Sequence, residues 1–236
     1  MSAAPKSFRR YTLVEYIEQV LRPIVGRVRF SEIHVHGTWK PTIADFRKRP
    51  GEYYMQAMYR AHLARGFFDI AQHATVDPDG YIWDGRSLLL PPASATGNND
   101  PDADGVHPFM FEMIGNFDRG CERLEGPQLL TTSGLCSAIM KLWNLGQDAI
   151  HFHREYTNQK TCPGSGIEKT WFLDQVTKPK MSNQEPTAPA EDDVSAWARE
   201  ARDWAVAMGI TDGDRPRDPL TREEAWTMLY RMKKEK

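Results

Sequence analysis

Between Thr12 and Val176 the chain switches repeatedly between a helical and a strand-like hydrophobic rhythm, and that alternation narrows its fold class more than any other feature. Leu13, Val14, Ile17, Val20 and Leu21 form a helical stripe, while Val28 to His36 is β-branched and aromatic and reads as a strand. Gly51 to Ala64 returns to a helix, striped by Tyr54, Met58 and Ala61, with Met55 and His62 on the flank of that face. Ile70 to Val76 and Tyr81 to Trp83 flank Asp77-Pro78-Asp79-Gly80, a turn sequence that predicts a hairpin. Phe109 to Ile114 is a short apolar strand interrupted by one acid, Glu112. Pro127 to Leu145 reads as a helix, Ile150 to His153 as a short strand and Ile167 to Val176 as a closing helix. Helices and strands interleaved in this way predict an α/β sheet with helices on its faces.

Residues 177–193 break the pattern. Three prolines among polar residues, with almost no apolar side chains, mark a linker. It separates a larger domain, 1–176, from a tail, 194–236. Lys+Arg total 30 against Asp+Glu 32, and no part of the chain has the excess of positive charge that nucleic-acid binding by electrostatics requires. The N-terminus lacks the apolar run of ~7–15 residues of a secretory signal, and no window approaches the ~18 apolar residues of a membrane span. A cytoplasmic chain without membrane insertion is expected. Its 3 cysteines make no disulfide framework at this length, so thiols (Cys121, Cys136) or a metal ligand (Cys162) are expected.

The histidines cluster. His34 and His36 stand two apart on one strand and share a face; His151 and His153 repeat that spacing, and Cys162 follows nine residues after His153. Imidazole and thiolate are preferred zinc ligands, and three protein ligands plus water make a catalytic rather than a structural site. Core histidines with a buried thiol are the ordinary alternative, and strand alternation does not say which member of each pair binds metal. Glu112 is costly in an apolar strand unless it is paired, functional or on the solvent face of an edge strand. Beside a metal it suits a general base. Lys160 shares a face with Cys162 if both are extended, where a cation suits a developing oxyanion, or it is an exposed loop lysine.

Taken together, these residues resemble the zinc-dependent N-acetylmuramoyl-L-alanine amidases of the type-2 amidase and peptidoglycan-recognition-protein superfamily, over roughly residues 28–176. The likeness runs through Ile33-His34-Val35-His36-Gly37-Thr38, the segment His62 to Phe68, the hairpin Asp69 to Arg86, Phe111-Glu112-Met113-Ile114-Gly115, Phe152-His153-Arg154-Glu155 and Lys160-Thr161-Cys162-Pro163-Gly164. The last is the most specific, because bacteriophage lytic amidases carry Cys there where others carry Asp. The resemblance implies a central mixed β-sheet flanked by helices, plus a small C-terminal helical module. It implies Zn²⁺ on His36, His153 and Cys162, Glu112 as base and Lys160 as oxyanion stabiliser. His34 and His151 become neighbours of the ligands and His62 a structural residue. His34, Gln72, His73 and Asn99 fall on the substrate side. Gln72 stands where many relatives have Tyr, and the family's His-Ala turn before Asn is replaced by Pro92 to Asn99.

The implied reaction is cleavage of the bond between N-acetylmuramic acid and L-alanine in peptidoglycan. With no secretion signal, this suits a phage endolysin held in the host cytoplasm until lysis, or else a cytoplasmic wall-recycling amidase. A peptidoglycan-binding module without catalysis and a structural zinc site, with His34, His73 or His151 as fourth ligand, are the other readings. In the tail, Trp197, Ala201, Trp204, Ala205 and Met208 stripe one helix and Trp226, Leu229 and Tyr230 a second, with Thr221 and Glu224 as a capping box. Ile210 to Gly213 and Leu220 to Glu224 resemble one S-layer-homology motif, which implies binding to a secondary cell-wall polymer; a packing hairpin is the plainer reading.

Overall fold

In a computed structural model, which describes residues 4–177, 199–208, 210–211 and 222–234, six strands form one sheet. They are β1 (Arg10–Tyr11), β2 (Arg29–Gly37), β3 (Ala74–Val76), β4 (Ile82–Asp84), β5 (Val106–Met113) and β6 (Ile150–Phe152). The helices are α1 (Leu13–Tyr16), α2 (Ile43–Phe46), α3 (Gly51–Ala64), α4 (Gly126–Trp143), α5 (Lys169–Thr177), α6 (Arg199–Ala207) and α7 (Arg222–Lys234). The sheet order is β1-β4-β3-β5-β2-β6. Strand β2 runs parallel to β5 and β6, and β3 parallel to β5, while the pairs β3–β4 and β1–β4 are antiparallel. The sheet is therefore mixed and flanked by helices, the expected fold class.

Alternation along the central strands sorts the side chains. Ile33 and Val35 of β2, Phe109, Phe111 and Met113 of β5, and Ile150 and Phe152 of β6 join one core with Leu135, Cys136 and Ile139 of α4 and Phe172 and Val176 of α5. A fully buried Phe of this kind is worth about 1.5–3 kcal/mol. The intervening residues, His34, His36, Met110, Glu112 and His151, point to the opposite face. Ile82 and Trp83 of β4 divide in the same way: Ile82 belongs to the large core, and Trp83 packs with Met55 and Met58 of α3. Helix α3 thus covers the face that carries the polar residues. It ends where Gly66 takes a positive φ, with Gly66 N–H bonded to the Leu63 carbonyl and Phe67 N–H to the His62 carbonyl. That double bond is a Schellman stop, and it delivers Arg65 and Phe67 to the cleft described below.

The hairpin between β3 and β4 forms as expected, and Asp77 organises it. Its fully buried carboxylate accepts from Asp79 N at 2.9 Å, Tyr81 N at 3.0 Å and Trp83 Nε1 at 2.9 Å, and pairs with Arg10 Nε at 2.8 Å. Replacing Asp77 by Ala orphans these donors. We expect a loss of about 3 kcal/mol in urea unfolding; a loss below about 1 kcal/mol contradicts this account of the turn.

Two departures have local causes. The first helical stripe continues only to Tyr16 as α-helix, widens into a π turn over Ile17–Leu21 and ends in a tight turn at Arg22–Ile24, where Pro23 removes a donor. His153 leaves the strand and opens a 3-10 turn, His153–Glu155. The elements fall into two compact units, with β1 to α5 in the first and α6 and α7 in the second. Both tail helices occur where the stripes predict them, and Trp204, Trp226, Leu229 and Tyr230 are exposed. Most of the linker, together with Trp197, Gly209, Gly213 and Thr221, lies outside the described residues. Among the described residues no helix is long and apolar enough to cross a membrane.

Candidate active site

At the C-terminal ends of β2 and β5 the polar face opens into a cleft of about 670 Å³. His36, Glu112, His153, Lys160 and Cys162 all line it, with Arg65, Phe67 and Asn99. Register explains part of this gathering. His36 of β2 lies opposite Glu112 of β5, which faces Thr75 of β3 on its other side. Glu112 therefore belongs to an interior strand, and the edge-strand reading does not apply.

His153 and Cys162 arrive from outside the sheet. The turn after β6 brings the His153 ring to within 4.4 Å of the His36 ring, centroid to centroid. Cys162 sits in a loop held by Arg154. The Arg154 backbone N–H donates to the Cys162 carbonyl at 2.9 Å, and its guanidinium donates to the carbonyls of Gly164 at 2.8 Å and Ile167 at 2.7 Å. Gly37 lets the loop close on β2, since a β-carbon there would collide with the Pro163 carbonyl oxygen. Gly37 N–H then points at Cys162 Sγ at 3.4 Å, and Sγ lies 3.6 Å from His36 Nδ1. The donor atoms of His36, His153 and Cys162 all lie within 4.8 Å of one another.

Burial sets the protonation of the group. It pushes His36 well below the ordinary histidine value and His153 down to about 4, so both imidazoles stay neutral with a lone pair to give. It pushes the Cys162 thiol up to about 12, which a bound cation would reverse. It pushes Glu112 up to about 7, against the opposing pull of Arg65 and Lys160. Two soft or borderline donors of neutral charge, one thiol and a carboxylate poised near neutrality make a site suited to hold a cation and to move a proton.

The other expected residues are placed differently. Asn99 lines the cleft, and its Oδ1 accepts from Ser94 N at 2.9 Å and Ala95 N at 3.0 Å, shaping the loop. His34, Gln72 and His73 are buried and do not line the cleft. His73 accepts from Met110 N at 3.1 Å and contacts the Leu90 carbonyl at 2.9 Å, bridging β5 to the following loop. Gln72 donates to Thr75 Oγ1 at 3.0 Å. His62 accepts from Ala71 N at 3.1 Å. The sequence reading missed Ser94, Arg154 and Tyr156. Arg154 adjoins a predicted ligand and offers five donors, which was a usable signal; Ser94 lies in an aperiodic loop and offered none.

A mixed sheet with a polar cleft at the ends of its parallel strands is the peptidoglycan-recognition-protein and amidase fold. Drosophila PGRP-LB shares it at 19% identity with a TM-score of 0.51, over 78% of this chain and 93% of that one. A variant of the same protein, in complex with tracheal cytotoxin, matches at 18% identity and TM-score 0.50, over 75% and 89%. An endolysin N-acetylmuramoyl-L-alanine amidase, LysCS from Clostridium intestinale, is similar at 19% identity and TM-score 0.47, over 63% and 84%. No curated protein sequence matches. Residues 26–165 match the family model described as N-acetylmuramoyl-L-alanine amidase, and the chain belongs to that family.

Proposed function

We propose that this cleft hydrolyses the amide between the lactyl group of N-acetylmuramic acid and the L-alanine of the peptidoglycan stem peptide, using zinc. The observation that carries the reading is the meeting of His36, His153, Cys162, Glu112 and Lys160 in one cleft of a chain in this family. The donor set fits zinc, with two neutral imidazoles and a thiol, three protein ligands in all. When bound, zinc would leave a position for water, lower the pKa of that water to about 7 and polarise the scissile carbonyl.

The remaining chemistry belongs to the chain. Glu112, held near neutrality by burial, takes the proton of the attacking water and passes it to the leaving amine nitrogen. Lys160 donates to the oxygen on which negative charge develops. Asn99 stands on the cleft wall to meet the substrate; His34, Gln72 and His73 are buried outside the cleft and do not. The complex of a PGRP-LB variant with tracheal cytotoxin and the Lys160-Thr161-Cys162-Pro163-Gly164 segment support a wall substrate and a bacteriolytic, endolysin-like role. The exposed Trp226 and Tyr230 support wall attachment through the tail. If so, replacing both by Ala lowers the fraction of protein pelleted with cell walls, and an unchanged fraction removes that role.

The reaction is tested by incubating the protein with purified peptidoglycan and identifying the chain ends formed. New L-alanine amino termini without new reducing sugar ends are expected; reducing ends, or no L-alanine termini, sink the proposal. In the same assay Lys160→Ala is expected to lower kcat by about 10²–10³ with little change in KM. A loss confined to KM would make Lys160 a binding residue only.

A further inference from the structure

Of Trp39, Phe67 and Phe117, which line the cleft, only Trp39 is exposed, at 62%. Its indole belongs to none of the hydrophobic cores and has no hydrogen-bond, ring or cation partner among the described residues. Its backbone has φ +56°, in the left-handed region that a bulky side chain rarely adopts. The turn that imposes this is pinned to the end of β5. Thr38 N donates to the Met113 carbonyl and Trp39 N to the Gly115 carbonyl, each at 3.0 Å. Thr38 Oγ1 accepts from Gly115 N at 3.0 Å and donates to the Pro41 carbonyl at 2.8 Å. The strained backbone costs stability, and an indole left in water returns none of it. We propose that Trp39 is a stacking platform for a pyranose ring of the peptidoglycan glycan, a contact that sets affinity rather than chemistry; the identity of the glycan rests on the amidase reading.

Charge decides between the two halves of that substrate. The stem peptide carries carboxylates. The glycan ring is uncharged and presents a face of C–H groups that suits the negative face of an indole. On the wall beside Trp39 the cleft offers the uncharged Thr38 and Asn116, and then the acidic Asp118, which repels a carboxylate. The cleft's Lys and Arg side chains are Lys160, assigned to the oxyanion, and Arg65. Arg65 stands at the far end of α3. Tyr54, near the start of that helix, packs with Ile114, the neighbour of Gly115, and Arg65 follows about 17 Å further along the axis. Lys40, next to Trp39 in the chain, lines a separate groove with Lys48 and Arg49. The wall at Trp39 is thus built for a flat, uncharged ring. Because the turn is fixed before substrate arrives, stacking costs little ordering of the protein.

Three variants and one binding measurement test the platform. In the L-alanine release assay, Trp39→Gly and Trp39→Leu are expected to raise KM about 10-fold with kcat nearly unchanged, and Trp39→Phe to stay within about 3-fold of the wild type, the pattern of a lost stacking contact. The urea midpoint of Trp39→Gly is expected to equal or exceed that of the wild type, because glycine adopts this φ freely and the indole packs on no core. Unchanged KM in Trp39→Gly overturns the platform, as does an equal loss in Trp39→Phe and Trp39→Gly or a lowered midpoint in Trp39→Gly. Binding is read without catalysis in metal-free, ¹⁵N-labelled protein, where the Trp39 indole N–H signal is identified by its absence from Trp39→Phe. Chitotetraose is expected to shift that signal, and the tripeptide L-alanyl-D-glutamyl-L-lysine to leave it in place. A shift with the tripeptide alone assigns Trp39 to the stem and overturns the proposal, as does a response to neither probe. If the amidase reading fails, no L-alanine termini appear and the sugar still moves the indole signal; if the platform fails, release proceeds and the signal stays.

Discussion

Cys162→Ser is expected to abolish zinc binding at micromolar metal and to remove hydrolysis with it, while the fold persists. The serine hydroxyl stays protonated where a thiol can ionise next to a cation, so the proposed site would lose its one anionic ligand. Losing an outer partner of a ligand costs about 10–100-fold in affinity, and loss of the ligand itself should exceed that. The fold has little reason to respond. The loop is held by Arg154 through the backbone carbonyls of Cys162, Gly164 and Ile167, and none of these bonds needs the thiol. We therefore expect circular dichroism and the urea midpoint of the metal-free variant to match the wild type within about 1 kcal/mol, as for a substitution that leaves no buried group unpaired. A variant that keeps tight zinc binding would show that Cys162 is not a ligand.

Glu112→Gln separates chemistry from stability with opposite signs. In the proposed role of proton carrier, Glu112 is expected to be worth about 10²–10⁴ in kcat, with KM nearly unchanged. Its pKa in the fold, about 7, stands above the ordinary 4.5 because burial disfavours the charged form. Between those values the folded chain binds more protons than the unfolded one, so stability falls as pH rises through that window. Glutamine cannot ionise and escapes this loss. Metal-free Glu112→Gln is thus expected to be more stable than the wild type at pH 8, by up to roughly 3 kcal/mol, and to match it at pH 4. Urea titrations at the two pH values check this. Equal stability at both would mean that Glu112 is not held in a desolvated site.

The strand periodicity made the site's floor legible. His34, His36 and Glu112 were predicted on strands, and the register then set His36 against Glu112. Helix α3 was readable over Gly51–Ala64, because its apolar stripe shows the buried face, where Tyr54, Met55 and Met58 lie; the helix ends just before Gly66, which takes a positive φ. What periodicity does not describe was lost. His151 and His153 were read as one strand face, but the strand ends at Phe152 and His153 turns inward. The choice of His36 over His34 came from resemblance alone; in the structure His34 bonds to Ser94 and Glu32, whereas His36 Nδ1 faces Cys162 Sγ. Ser94 and Asn99 lie between Asp84 and Val106, where turns and bends follow no period, and only the folded chain shows which backbone groups they satisfy. Gln72 and His73 sit in the family's hairpin, and spacing could not tell that burial withdraws both from the cleft.

Whether His36, His153 and Cys162 hold a working zinc ion for amide hydrolysis is decided by returning metal stepwise to the stripped protein. Metal is stripped with a chelator, zinc is added back in fractions of an equivalent, and L-alanine amino termini released from peptidoglycan are counted at each step. Release is expected to start near zero, climb in proportion to added zinc and break at one ion per chain, with the Cys162→Ser protein flat throughout. Full release before any metal is returned, or none after a full equivalent, would contradict it.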